Sequence, residues 1–391
     1  MCQSTAVSPA TRTGSRRLTI GLYATAVFLY WIALYLYVPT LPVYVASKTE
    51  NLALVGVVLS MYGLWQAVIR LPLGITADWL GRRKPFILVG FALAGLGAWT
   101  MGAADDVNGL ILGRAITGIA AGTWVPLVVA FSGLFPPEEA VRASALLTFI
   151  GSVGRMLATG VTGTLNDLGG YSLPFYLAAM AAALAVLILL PNREERRPPK
   201  RPSLQGIGRL ITRRDVLLPS VLSAVGQYAN WAATFGFIPI LARQLGATDV
   251  MLSMLTSMNI AVLTLGNLAT TTLVRRLGAR RLVYLSFTLL ALGLWGATLA
   301  PTLPLVFAAQ FCIGLSMGIG YPTLMGLSIQ NVTDAERTTA MGLHQAVYAI
   351  GMFSGPGLSG TIADAIGIRP MFGITAGVAL VLGMFGTKRL R

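Results

Sequence analysis

Twelve apolar stretches separated by short polar breaks leave this chain few ways to fold. They run approximately over 18 to 44, 53 to 74, 85 to 103, 109 to 131, 144 to 166, 173 to 191, 217 to 241, 251 to 273, 282 to 300, 304 to 328, 339 to 361 and 371 to 387. Each approaches or exceeds the roughly 20 residues that a helix needs to cross about 30 Å of hydrocarbon. Only 11% of the 391 residues are charged, where a soluble domain carries about a quarter. The expected fold is all-α and integral to the membrane, with 12 transmembrane helices.

The net charge of +15 suggests nucleic acid until its distribution is read. If the N-terminus is cytoplasmic, every Lys and Arg in a loop or tail lies on the cytoplasmic side except Lys48, Arg243 and Arg369. That asymmetry is the positive-inside pattern and predicts both termini in the cytoplasm of a multi-pass protein of the inner cell membrane. Anionic membrane lipid is the partner this basicity suits, and nucleic acid is excluded. Arg12, Arg16 and Arg17 precede a long first span without a cleavage site, so that span reads as a retained anchor. Cys2 and Cys312 imply no disulfide framework.

The pattern breaks once. Residues 192 to 214 form a proline-interrupted basic linker with Arg193, Glu194, Glu195, Arg196, Arg197 and Lys200 at its start. It divides a six-helix half, 1–191, from a second half, 215–391. At an offset of 197, Leu80-Gly81 meets Leu277-Gly278, Pro42 meets Pro239, Gly163 meets Gly360 and Asp167 meets Asp364. At 196, Gly118, Gly122 and Pro126 meet Gly314, Gly318 and Pro322. This is a duplicated six-helix unit, with a substrate site expected between the halves near mid-membrane.

Between the second and third stretches lies Gly74-Ile75-Thr76-Ala77-Asp78-Trp79-Leu80-Gly81-Arg82-Arg83-Lys84. Gly74 is expected to let a neighbouring helix approach, Asp78 to reach a helix N-terminus or a cation, and Gly81 to permit a tight turn. The string resembles the loop between helices 2 and 3 of the major facilitator superfamily. In that family the loop latches the two halves in one of the alternating states, which implies a latch made of Gly74, Asp78, Gly81, Arg82 and Arg83. In the second half Arg275 stands where Asp78 would fall, so the resemblance is strong in one half and eroded in the other.

A charge in hydrocarbon costs at least about 2.5 to 3.5 kcal/mol, so each needs a reason. Arg70 is expected to snorkel inward or to support the latch. Arg114, in Gly113-Arg114-Ala115-Ile116-Thr117-Gly118, is similar to the superfamily's helix 4 motif, where an arginine serves proton coupling or substrate contact; a packing role is the other reading. Arg155 falls near mid-membrane on the fifth span. Drug/proton antiporters of the superfamily carry a Gly-Pro signature in that helix. Here it is approached by Gly351-x-x-x-Gly355-Pro356-x-x-x-Gly360 in the eleventh span, while the equivalent fifth-span positions are Ala158-Thr159. All 14 Asp and Glu residues fall in loops or at helix ends. Deep cations without a buried anion point to a solute that brings the negative charge, an organic anion or weak acid held by Arg114 and Arg155.

Tyr30, Trp31, Tyr35, Asn230, Trp231, Gln310 and Tyr348 are the expected lining, suited to an amphipathic organic molecule. His344, the sole histidine, is the one side chain at that depth whose ordinary pKa suits proton exchange near neutrality, and protons are the candidate coupling ion. No phosphate loop and no Cys/His metal spacing occurs, so neither an enzyme, a cofactor nor a metal site is expected. The reading is a monomeric secondary transporter of a small organic solute with alternating access. Its alternative is a drug/proton antiporter exporting neutral amphipathic compounds, and a solute receptor on the same fold is a third.

Overall fold

The computed structural model describes residues 9–192, 194, 208 and 210–390. Among them no strand occurs, and the long helices group into twelve rods. In the first half these are Pro9–Tyr35 continued by Leu41–Ala46, Leu52–Leu80, Lys84–Gly102, Val107–Ala121 continued by Trp124–Ser132, Ala140–Gly169, and Ser172–Leu189. In the second they are Arg214–Ala232 continued through a π turn, Ala233–Phe237, into Ile238–Gln244, then Asp249–Leu277, Ala279–Leu299, Leu303–Ile329, Asp334–Ile366, and Ile368–Lys388. Each predicted apolar stretch falls on one rod. Ten rods are long and apolar enough to cross a membrane by length and composition. The seventh and eleventh fall short because they carry Ser220, Ser223, Gln227 and Asn230, and His344, Gln345, Ser354 and Ser359. The eleventh lies along the second rod of the other half, and the seventh packs against the eleventh.

The first span differs from the unbroken helix expected over 18 to 44. It stops at Tyr35 and restarts at Leu41, with Pro42 in the first turn of the new segment. Pro39 and Pro42 offer no N–H to continue the helical ladder. The seventh rod is interrupted at the matching place, its π turn leading into a segment that begins with Pro239 at the same early position.

Duplication is visible in backbone geometry as well as in letters. Gly81 (φ 64°) and Gly278 (φ 79°) make the same left-handed turn at the offset of 197, and so do Gly170 (φ 68°) and Gly367 (φ 94°). A side chain would be strained at each. A Cβ on Gly97 would lie 2.8 Å from Gly113 O and 3.0 Å from Thr117 N. One on Gly293 would lie 2.8 Å from Ala309 O and 3.2 Å from Ile313 N. The third and fourth rods therefore pack as the ninth and tenth do, through the close approach that small residues allow.

Two seams join the halves, the second rod along the eleventh and the fifth along the eighth. In the first, a Cβ on Gly56 would sit 2.3 Å from Pro356 O and 3.0 Å from Gly360 Cα, and one on Gly63 would sit 2.6 Å from Phe353 N. At its tip Asp364 Oδ1 accepts from Leu52 N at 2.9 Å, supplying a free N–H of the second rod with an acceptor from the other half. In the second seam Gly163 N donates to Ser253 Oγ at 2.6 Å and Asn166 Nδ2 to Asp249 Oδ2 at 2.8 Å, while Arg243 pairs with Asp249. Among the described residues, the hydrogen bonds between halves run from these tips, opposite the basic loops, to the level of Arg70.

On the basic face the hinge loop is held by the linker. Arg83 N and Lys84 N donate to the Glu194 carboxylate at 2.7 and 3.0 Å, and Lys84 Nζ donates to Leu190 O at 2.7 Å. Of the predicted latch, Gly81 is buried in its left-handed turn, and Arg82 and Arg83 follow it. The side chain of Asp78 lies outside the described residues, as do residues 193, 195–207 and 209 of the linker. Gly74 departs from expectation: among the described residues nothing lies within 4 Å of where its Cβ would be, so none of them approaches it in this conformation.

Candidate substrate site between the halves

Gly151 and Gly154 let the fifth rod lean on the first. A Cβ on Gly151 would lie 2.6 Å from Trp31 Nε1 and one on Gly154 3.0 Å from Phe28 O. That approach brings Arg155, one turn further on, over the rings of Trp31 (4.7 Å to the centroid) and Tyr35 (5.7 Å). Its guanidinium also donates to Ser152 Oγ at 2.9 Å and Gly151 O at 3.3 Å, and the residue stays partly exposed. Gly118 lets the fourth rod lie on the second, its Cβ position being 2.7 Å from Tyr62 O. Arg114, 3% exposed, thereby lies 4.6 Å from the centroid of the Tyr62 ring, with Nε unpartnered. A guanidinium over an aromatic face is attracted by the ring quadrupole, the more so when desolvated.

The two arginines meet one chain of rings that crosses the seam. Tyr62 stacks on Trp231 (5.4 Å, 16°), Trp231 meets Phe235 (4.8 Å), Phe235 meets Tyr35 edge-on (6.2 Å), and Tyr35 meets Trp31 (5.6 Å). Asn230 is buried beside Trp231 in sequence, its Oδ1 without a partner. Neither Arg114 nor Arg155 has a carboxylate within ion-pairing distance among the described residues.

Other expected lining residues do different work. Tyr30 is wholly buried and its hydroxyl donates to Ala120 O at 2.8 Å, so it fastens the first rod to the fourth. Gln310 is also wholly buried, accepting from Thr234 Oγ1 at 2.9 Å and Asn259 Nδ2 at 3.0 Å within the second half. Tyr348 belongs to a second cluster nearer the basic face. There Arg70, 5% exposed, donates from Nη1 to Tyr348 Oη at 2.9 Å across the seam, with Nε unpartnered. Arg70 thus does not snorkel, and among the described residues it makes no contact with the hinge loop; a hydroxyl 278 positions away holds it in the interface. Its stripe was legible: Gly56, Gly63 and Arg70 recur at seven residues, two turns, and so face one neighbour. His344 stands beside Tyr321 and Tyr348, ring centroids 6.2 and 6.3 Å away. Ser220 Oγ already donates to Val216 O, so the imidazole donates to it from Nδ1 at 3.1 Å, leaving Nε2 as an unpartnered acceptor.

Membrane-length rods in two related halves, with buried cations and unpartnered polar atoms gathered at the seam, define a multi-pass membrane transporter and not an enzyme. The chain belongs to the Major Facilitator Superfamily, whose family model matches residues 23–226 and 220–390. It is 26% identical to the multidrug resistance protein MdtG of Citrobacter koseri over 86% of this chain and 84% of that one. It is 20% identical to an uncharacterised MFS-type transporter of Methanocaldococcus jannaschii over 86% and 89%. Its fold superposes on a bacterial homologue of the human lysosomal transporter Spinster with a TM-score of 0.80 at 15% identity, covering 98% of both chains.

Proposed function

We propose that this transporter carries a small organic anion or weak acid by alternating access, with Arg114 and Arg155 as its binding cations. The observation that carries the reading is the chain of five rings with a guanidinium on each part of it, Arg114 on Tyr62 and Arg155 on Trp31 and Tyr35, and no carboxylate paired to either among the described residues. A carboxylate on the solute would complete those hydrogen bonds while its apolar body lies on the rings. Tyr35, Trp231 and Asn230 are the lining we assign with them. The halves, 1–191 and 215–391, rock as units about the seams. Closure opposite the basic loops supports an inward-open state, with both termini cytoplasmic in the inner membrane.

The test is a thermal-shift screen of the purified protein against organic acids, neutral drugs and organic cations, with Arg155→Ala alongside. A ligand at 100 times its Kd adds about 2.7 kcal/mol of stability. Stabilisation by acids, lost in Arg155→Ala, is the expected result. Stabilisation by neutral compounds that survives in Arg155→Ala would replace this reading by export of neutral amphipathic molecules. The likeness to a multidrug resistance protein favours that second reading.

Two further assignments have their own tests. Asp78→Asn is expected to lower transport with folding intact, as the latch role requires; unchanged flux removes Asp78 from the switch. His344→Gln is expected to flatten the pH dependence of flux, and an unaltered profile would end the case for proton coupling through that ring.

A further inference from the structure

A groove of about 510 Å³ lies on the basic face of the second half, outside the seam, where the start of the seventh rod meets the ends of the tenth and twelfth. Leu218, Pro219, Leu327 and Leu390 line it with apolar surface, and Arg214, Arg389 and Gln330 line it with polar groups. Arg213 lies there too, but it is already engaged. It donates to both oxygens of Asp215, at 3.1 and 2.6 Å, and to Asn331 O at 2.8 Å, tying the seventh rod to the end of the tenth. The hydrogen bond from Arg213 holds the Asp215 carboxyl below the usual carboxylate range, so this pair stays ionised and internally neutral. The charge left over belongs to Arg214 and Arg389. Both are exposed, and among the described residues neither guanidinium has an acceptor.

Arg389 also heads an apolar stripe. Val378, Leu382 and Phe385 precede it at spacings of four, three and four, so the four side chains share one face of the twelfth rod. All three hydrophobes are exposed. A cation at the rim, an apolar floor and an apolar stripe leading away from it match a molecule with an anionic head and a hydrocarbon tail. At the end of membrane-length rods, the membrane supplies that molecule.

We propose that this groove binds the anionic headgroup of a membrane glycerophospholipid through Arg214 and Arg389, its acyl chain lying along Phe385, Leu382 and Val378. The bound lipid bridges the ends of the seventh, tenth and twelfth rods. Lipid composition thereby acts on the half that carries the clamp between Arg213 and Asn331.

Native mass spectrometry of the full-length protein, delipidated in detergent and titrated with phosphatidylglycerol or phosphatidylcholine, tests this. Phosphatidylglycerol is expected to bind, and the variant Arg214→Gln/Arg389→Gln to bind it roughly thirtyfold more weakly, the size two basic residues contribute at an anionic surface. Arg214→Lys/Arg389→Lys should bind nearly as wild type, and Arg281→Gln, outside the groove, should change nothing. Equal binding of phosphatidylglycerol by wild type and the double Gln variant, or equal binding of phosphatidylcholine, overturns the proposal. So does binding of soluble glycerol phosphate as tight as that of phosphatidylglycerol in the same titration, which would make the site one for free phosphate esters.

Discussion

Gly163→Leu is expected to abolish transport while leaving a folded protein in the membrane. At Gly163 a Cβ would lie 2.3 Å from Asp249 C, Asp249 O and Val250 N, all backbone atoms of the eighth rod. Overpacking a core whose side chains can shift costs about 1–3 kcal/mol. Backbone cannot shift that way, so the closed seam loses at least that much, and about 2 kcal/mol alone is a thirtyfold change in population. Each half keeps its own packing, because the clash lies between them. Flux in vesicles and the distance between spin labels at Leu168 and Met251 would read the outcome. Wild-type flux with an unchanged label distance would refute the assignment of this seam as the moving face.

Tyr348→Phe is expected to act on the other seam by a different physical route. The ring stays and only the hydroxyl goes, so Arg70 loses the acceptor 2.9 Å from its Nη1 while remaining 95% buried. A hydrogen bond to a charged group contributes about 1.5–3 kcal/mol, and a buried charge left without it costs more than the bond was worth. The arrangement seen here should therefore lose roughly ten- to a hundredfold in population, read by spin labels at Val57 and Leu358 that separate. Adding Arg70→Met removes the stranded charge and should restore part of the loss. Labels that do not move in Tyr348→Phe would make the contact incidental.

The features legible in the sequence were those written locally or by repetition. Twelve apolar stretches announced twelve rods, and an offset that recurs along the chain announced the duplication that Gly81 and Gly278 repeat in their backbone angles. The hinge string marked its turn because Gly81 must adopt a left-handed conformation. Arg155, Trp31 and Tyr35 were expected in one cavity and lie in contact. What escaped depended on distant partners. Tyr30 and Trp31 are neighbours of equal apparent promise, yet Ala120 O claims the first hydroxyl and Gly151 seats the second ring. Arg70 could not be paired with Tyr348 from spacing along one helix. Nor could Glu194, in a linker read only as basic, be seen to accept from the start of the third rod.

The seams opposite the basic loops close largely by backbone on backbone, at Gly56, Gly63, Gly163 and Gly360. Such surfaces have almost no rotamers to freeze, whereas a long side chain costs up to about 2 kcal/mol when it is immobilised. At these glycines meeting and parting therefore carry little side-chain entropy in either direction, although rings do interleave across the interface where Tyr62 meets Trp231 and Tyr35 meets Phe235. A joint built this way is easily reversed. How long it stays shut is left to polar contacts such as Asp364 with Leu52 N, Asp249 with Asn166, Ser253 with Gly163 N and, nearer the basic face, Arg70 with Tyr348. The lifetime of the closed state can therefore be retuned by single polar substitutions without redesigning the fit between the halves.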